Sequence, residues 1–135
     1  HTHGSVVFID RENRLIFMGD ACNNSTFLFL PESVSIEEYY HALLRLKEHD
    51  AEYDTYYIFH VVSPLPKSCL DDMIEICEDL LSGKNKGIRV PFGIPVTADP
   101  DKLRIACPVE GEIARVRPDG KTGNLLFDRE RIFKK

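Results

Sequence analysis

The sequence predicts a single α/β domain spanning residues 1–135, with a mixed sheet, two main helices and a small C-terminal antiparallel appendix. Three observations predict it. Two short apolar runs near the N-terminus read as strands joined in a hairpin, two later segments repeat apolar residues at helical spacing, and the remainder is broken by prolines and glycines. A chain of 135 residues holds one ordinary core and is too short for two.

In order along the chain, Val6, Val7, Phe8 and Ile9 form the first apolar run and Leu15, Ile16, Phe17 and Met18 the second, each apolar on both alternating faces as in a strand covered on both sides. A charged turn over residues 10–14 joins them, and Gly19 and Asp20 close the second strand before a polar loop through Asn23, Asn24 and Ser25. Ser35 followed by Glu38 is a capping-box pattern. Ile36, Tyr39, Tyr40, Leu43 and Leu44 then give a helix to about His49. Residues 55–59 are β-branched and aromatic and lead into His60, which places it at a strand exit, followed by Pro64 and Pro66. From Ser68, the spacing of Leu70, Met73, Ile74, Cys77, Leu80 and Leu81 predicts an amphipathic helix, with Gly83 placed to cap it. Short strands are expected near residues 103–106, 113–117 and 125–127, with a turn at Asp119 and Gly120. Only two helices are available to cover strands that look apolar on both faces, so some sheet surface is expected to lack a partner within the chain.

Charge narrows the function classes. The formal net charge is −5, which argues against a general nucleic-acid binder, although residues 101–135 carry 9 basic against 6 acidic side chains. Neutralising Arg115, Arg117 and Arg129 would test any such role for the tail. No apolar run approaches the length of a membrane span. Cys22, Cys69, Cys77 and Cys107 contain no Cys-x-x-Cys pair and read as reduced core residues, so a cytoplasmic location is expected.

The residues able to carry chemistry are His1, Asp20 and His60, all assigned to strand starts or ends, which collect on sheet rims. Imidazole nitrogens and a carboxylate are ligands that zinc and related divalent metals accept, and a carboxylate can bridge two metals. By spacing alone, a structural role for all three is the more economical reading. His41 and His49 fit surface positions on the first helix, the five tyrosines fit core and rim packing, and Asp71 and Asp72 fit helix-start carboxylates better than an acid/base pair.

Local sequence adds a resemblance. The segment His1-Thr2-His3-Gly4-Ser5-Val6, then a hairpin, then Gly19-Asp20-Ala21-Cys22, then a helix, and finally Tyr57-Ile58-Phe59-His60 with Pro64-Leu65-Pro66 and a helix opening at Leu70, resembles the metallo-β-lactamase superfamily over roughly residues 1–83. The resemblance implies half of an αβ/βα sandwich, a family-like core at 1–83 and a strand-rich extension at 84–135. It implies metal-ligand roles for His1, Asp20 (bridging) and His60, with Thr2, Ser5 and Gly19 supporting them and His3 a neighbour. It further implies a binuclear zinc hydrolase in which water activated by the metals attacks an ester, thioester, lactone, amide or phosphodiester of a small-molecule substrate. The family's His-x-His-x-Asp-His cluster, which supplies the other ligands and the Asp that orients the attacking water, is absent. The chain is therefore expected to be the C-terminal portion of a longer hydrolase, to hold zinc weakly and to be inactive alone. It is expected to pair through its open sheet with the missing N-terminal half. The alternative is a non-catalytic α/β module that self-associates or docks through that sheet.

Overall fold

Alternating burial along residues 15–19 shows why this segment is a strand with one wet face: Ile16 and Met18 are buried while Phe17 between them is exposed. In the computed structural model, which describes residues 2–94, 98–111 and 115–135, β1 (Phe8–Asp10) pairs antiparallel with β2 (Leu15–Gly19), and β2 pairs parallel with β4 (Thr55–Ile58). This sheet has the order β1-β2-β4. A second sheet has the order β3-β7-β6-β5, built from β3 (Thr26–Leu28), β5 (Ile88–Arg89), β6 (Leu103–Ile105) and β7 (Leu125–Asp128).

Two helices cover the first sheet on one side. In α1 (Ile36–Lys47), Ser35 accepts from the Glu38 backbone N–H at 3.2 Å while Glu38 accepts from the Ser35 backbone, the reciprocal cap that the sequence predicts. The free N–H groups of Ile36 and Glu37 are met by the Arg131 and Ile132 carbonyls, so the C-terminal tail closes the start of α1. The second helix, α2 (Cys69–Leu81), buries Leu70, Met73, Ile76, Cys77 and Leu80, and Gly83 follows its C-cap with φ +76°. Together α1, α2 and the inner face of the first sheet (Ile16, Met18, Tyr56 and Ile58) make the main core, which Leu125 and Phe127 of β7 complete.

Several expectations need correction. The first strand covers residues 8–10, and Val6 ahead of it is 68% exposed. The strands β1 and β2 are not covered on both faces. Phe8 pairs in register with Phe17, and Phe17 stacks on Tyr57 with ring centroids 5.8 Å apart, so these rings line the face opposite the helices, with Phe8 66% and Phe17 42% exposed. The C-terminal strands β5, β6 and β7 pair antiparallel as expected, but the segment after Asn23–Ser25 is also a strand, β3, lying parallel to β7, so they belong to a mixed sheet rather than stand apart as an appendix. Of the expected strand at 113–117, residues 113 and 114 lie outside the described residues, and Val116 bridges Glu110. Asp72 is 7% exposed and is more than a helix-start carboxylate, because it accepts the backbone N–H groups of Thr122 and Gly123 at 2.8 and 3.0 Å. None of the helices among the described residues is long and apolar enough to cross a membrane.

Candidate functional site

Parallel strands send their carboxyl ends to the same edge of a sheet, which is where open α/β folds gather ligands. Because β2 and β4 are parallel, with Gly19 in register with Ile58, Asp20 and His60 leave the sheet side by side. The register slips between Phe17 and Gly19, a bulge that re-aims the end of β2. Gly19 then adopts φ +57°, and a Cβ there would stand 3.2 Å from the Phe59 ring, so the position favours a residue without a side chain. The Phe59 N–H donates to the Gly19 carbonyl at 3.1 Å and ties the two strand ends together.

His60 itself has φ +71°, a left-handed conformation that costs a non-glycine residue on the order of 1–2 kcal/mol. In this conformation its Nε2 lies 3.1 Å from Asp20 Oδ1. Strain of this kind is concentrated at functional sites, and here it goes with an imidazole meeting a carboxylate. Both side chains are open to solvent, His60 at 78% and Asp20 at 40%. From beneath, two buried tyrosines fix the segment that follows Asp20: Tyr39 donates to the Ala21 carbonyl at 2.7 Å and Tyr56 to the Cys22 carbonyl at 2.8 Å. Burial pushes both phenols well up, which keeps them protonated as donors. Hydrogen bonding to Cys22, followed by burial, likewise pushes the Cys69 thiol up, as burial does for Cys77, so these thiols are inert core groups.

The Asp20–His60 pair borders a pocket of about 250 Å³ whose walls include Asn23, Ser25, Phe27 and Arg115. The segment after Cys22 walls this pocket from a loop through Asn23, Asn24 and Ser25 and from β3 through Phe27. Asn23 Oδ1 accepts the Ser25 N–H at 2.7 Å, which shapes this wall. Arg115 escaped sequence reasoning as a site residue, since it reaches the pocket only through folding of the C-terminal segment against β3. A larger groove of about 970 Å³ lies between α1 and the N-terminal segment and shares no lining residue with this pocket.

Of the other expected site residues, His1 lies outside the described residues. Thr2 and Ser5 hydrogen-bond to each other at 3.1 Å and, with His3, line the larger groove. No set of three or more His, Cys, Asp or Glu side chains among the described residues is grouped to hold a metal ion. Two donors do fit part of one: ligands about 2.0–2.1 Å from a tetrahedral zinc stand roughly 3.3 Å apart, close to the separation of Nε2 and Oδ1. The same separation also suits a simple ion pair between a protonated imidazole and the carboxylate. Comparison with family models, with curated proteins and with solved structures finds no match to the chain.

Proposed function

We propose that the chain forms part of a divalent-metal hydrolase of the metallo-β-lactamase type, with Asp20, His60 and His1 as its share of the ligands. The observation that carries this reading is the 3.1 Å approach of the His60 imidazole to the Asp20 carboxylate at the carboxyl ends of two parallel strands, held by a left-handed His60. Zinc ions held there would supply acidity to a water molecule and polarise a carbonyl or phosphoryl oxygen. In that setting Asp20 and His60 act as donors, Gly19 and the bulge at the end of β2 set the direction of Asp20, and Tyr39 and Tyr56 hold the backbone beyond it. Ester, thioester, lactone, amide and phosphodiester substrates all remain within the reading, since fold does not choose among them.

A catalytic zinc normally has three protein ligands and an exchangeable position, so the donors named here bind weakly on their own. Titration of Zn²⁺ into the chain, followed by NMR of the histidine rings and of the amides around residues 19–21 and 58–60, tests this. Weak, saturable binding that disappears in Asp20→Asn and His60→Gln is expected. Binding unaffected by both substitutions, or two tightly held ions in the isolated chain, overturns the proposal.

A second reading is favoured by the aromatic face of Phe8, Phe17 and Tyr57, which nothing in the described chain covers. We infer an interaction module that pairs through this face with a second copy or another polypeptide. It predicts association without metal uptake, measurable by sedimentation alongside the zinc titration.

A further inference from the structure

The Asp20–His60 pocket also contains a cation supplied by the far end of the chain. Arg115 has φ +48°, and its guanidinium carbon stands 4.1 Å over the ring of Phe92. One guanidinium nitrogen donates to Ser25 Oγ at 3.2 Å. Stacking and this single bond hold the group half-buried in the pocket wall while leaving most of its N–H donors unspent on these contacts. Among the described residues no carboxylate lies within ion-pairing distance of it. Nearby Arg117 differs in kind. It is buried, gives two bonds to Asp119 and a third to the Gly123 carbonyl, and so is used up in holding the fold. Arg11, Arg14 and Arg89 likewise face carboxylates.

We propose that Arg115 recognises an anionic group, a carboxylate or phosphate, on the ligand of this pocket. The substrate class this gives, a small molecule carrying an acidic oxygen group near its scissile bond, rests on the hydrolase reading above. The planar guanidinium presents parallel N–H groups that match two oxygens of such an anion, and stacking on Phe92 fixes its plane before the ligand arrives. Ser25, on the loop that follows Asp20, sets its position within the plane. A pocket of about 250 Å³ limits the ligand portion held there to a small group.

The test uses inorganic phosphate and acetate as separate probes, titrated into the whole chain and followed by NMR of the Arg115 Nε–H and of the Asn24, Ser25 and His60 amides. At least tenfold weaker binding in Arg115→Met than in the original chain, and an intermediate loss in Arg115→Lys, are expected for whichever probe binds. The tighter probe identifies the anion chemistry. Absence of saturable shifts with both probes, or equal affinity in the Met variant, overturns the proposal, and Ser25→Ala repeats the comparison if the Met variant does not fold. A parallel Zn²⁺ titration separates the two readings. Anion shifts at Arg115 with no zinc effect at Asp20 and His60 sink the hydrolase reading alone, whereas zinc binding without anion shifts sinks the role of Arg115 alone.

Discussion

Asp72→Ala removes one buried carboxylate and tests how the C-terminal segment that carries Arg115 is held to the core. Asp72 projects from α2 and accepts the Thr122 and Gly123 N–H groups at 2.8 and 3.0 Å. The approach is close: a Cβ on Gly123 would lie 2.8 Å from the Cys69 carbonyl oxygen and 2.9 Å from Asp72 Cβ. Hydrogen bonds to a charged acceptor contribute about 1.5–3 kcal/mol each, so the pair is worth roughly 3–6 kcal/mol before offsets. Relief of the desolvated charge returns part of this, and we expect a net loss of about 3 kcal/mol, measured by urea denaturation. For a chain of 135 residues, an unfolding entropy of about 2.1 cal/mol/K per residue converts this to a fall in Tm of roughly 10 °C. The chain has no Trp, so far-UV circular dichroism is the appropriate signal. Asp71→Ala is the control. Asp71 is 55% exposed and pairs with Lys47, so its removal should cost less than about 1 kcal/mol. Hydrogen exchange adds a local reading, because the Thr122 and Gly123 amides should lose protection in Asp72→Ala. A loss below about 1 kcal/mol, or an equal loss in the control, would refute the argument that this carboxylate anchors the turn.

Gly87→Ala should cost about 3 kcal/mol by chemical denaturation, since Gly87 has φ +67° and a Cβ there would meet Arg104 Cβ and Phe127 Cζ at 2.8 Å; Gly83→Ala, with φ +76° but open space, should cost only about 1 kcal/mol. The hydrogen bond from Arg117 holds the Asp119 carboxyl below its ordinary range, so its stabilisation is complete above the unfolded carboxylate pKa and is lost as pH falls through the lower folded value. Thermal melts from neutral to acid pH should therefore show a shallower decline in Asp119→Asn than in the original chain, and parallel curves would contradict the assignment. Replacing Phe8 and Phe17 by Ser should lower binding of a hydrophobic dye and weaken any self-association seen by sedimentation, with a stability change within about 1 kcal/mol because both rings already face solvent. Unchanged association would exclude this face as the contact.

Local signals in the chain account for the elements that sequence reasoning recovered. The Ser35–Glu38 box and the spacing from Leu70 to Leu81 are short-range patterns, and both helices follow them. Likewise, β2 and β4 show their inner faces through Ile16, Met18, Tyr56 and Ile58, and the surplus of apolar residues on the first strands correctly announced an uncovered face. What escaped was non-local. The three residues of β3 follow a polar stretch and become a strand because β7, from the other end of the chain, lies parallel beside them. Two-residue β5 has no periodicity to detect. Asp72 looked like a dipole-complementing side chain because its partners, the backbone at 122 and 123, are invisible until the turn folds onto α2. In the site, Asp20 and His60 were legible as strand-end residues. Arg115 was not, because contact with Phe92 and Ser25 depends on the same long-range pairing that hid β3.

If Asp20 and His60 are metal ligands as proposed, the uncovered sheet face and the short ligand set could be completed by the same element. An added layer packed on Phe8, Phe17 and Tyr57 would remove their rings from water, and histidine or aspartate side chains at its edge would add donors to Asp20 and His60. Self-pairing of the aromatic faces meets only the first need and leaves the Asp20–His60 contact as it stands. The two arrangements therefore differ in how association and metal affinity are linked. If an added layer brings ligands, zinc and association strengthen each other, and Asp20→Asn weakens both. If copies simply pair, zinc leaves the association constant unchanged and Asp20→Asn does not alter association. Measuring association with and without zinc in the original chain and in Asp20→Asn, with candidate partner segments supplied, thus tests whether the open face and the strained histidine serve one function.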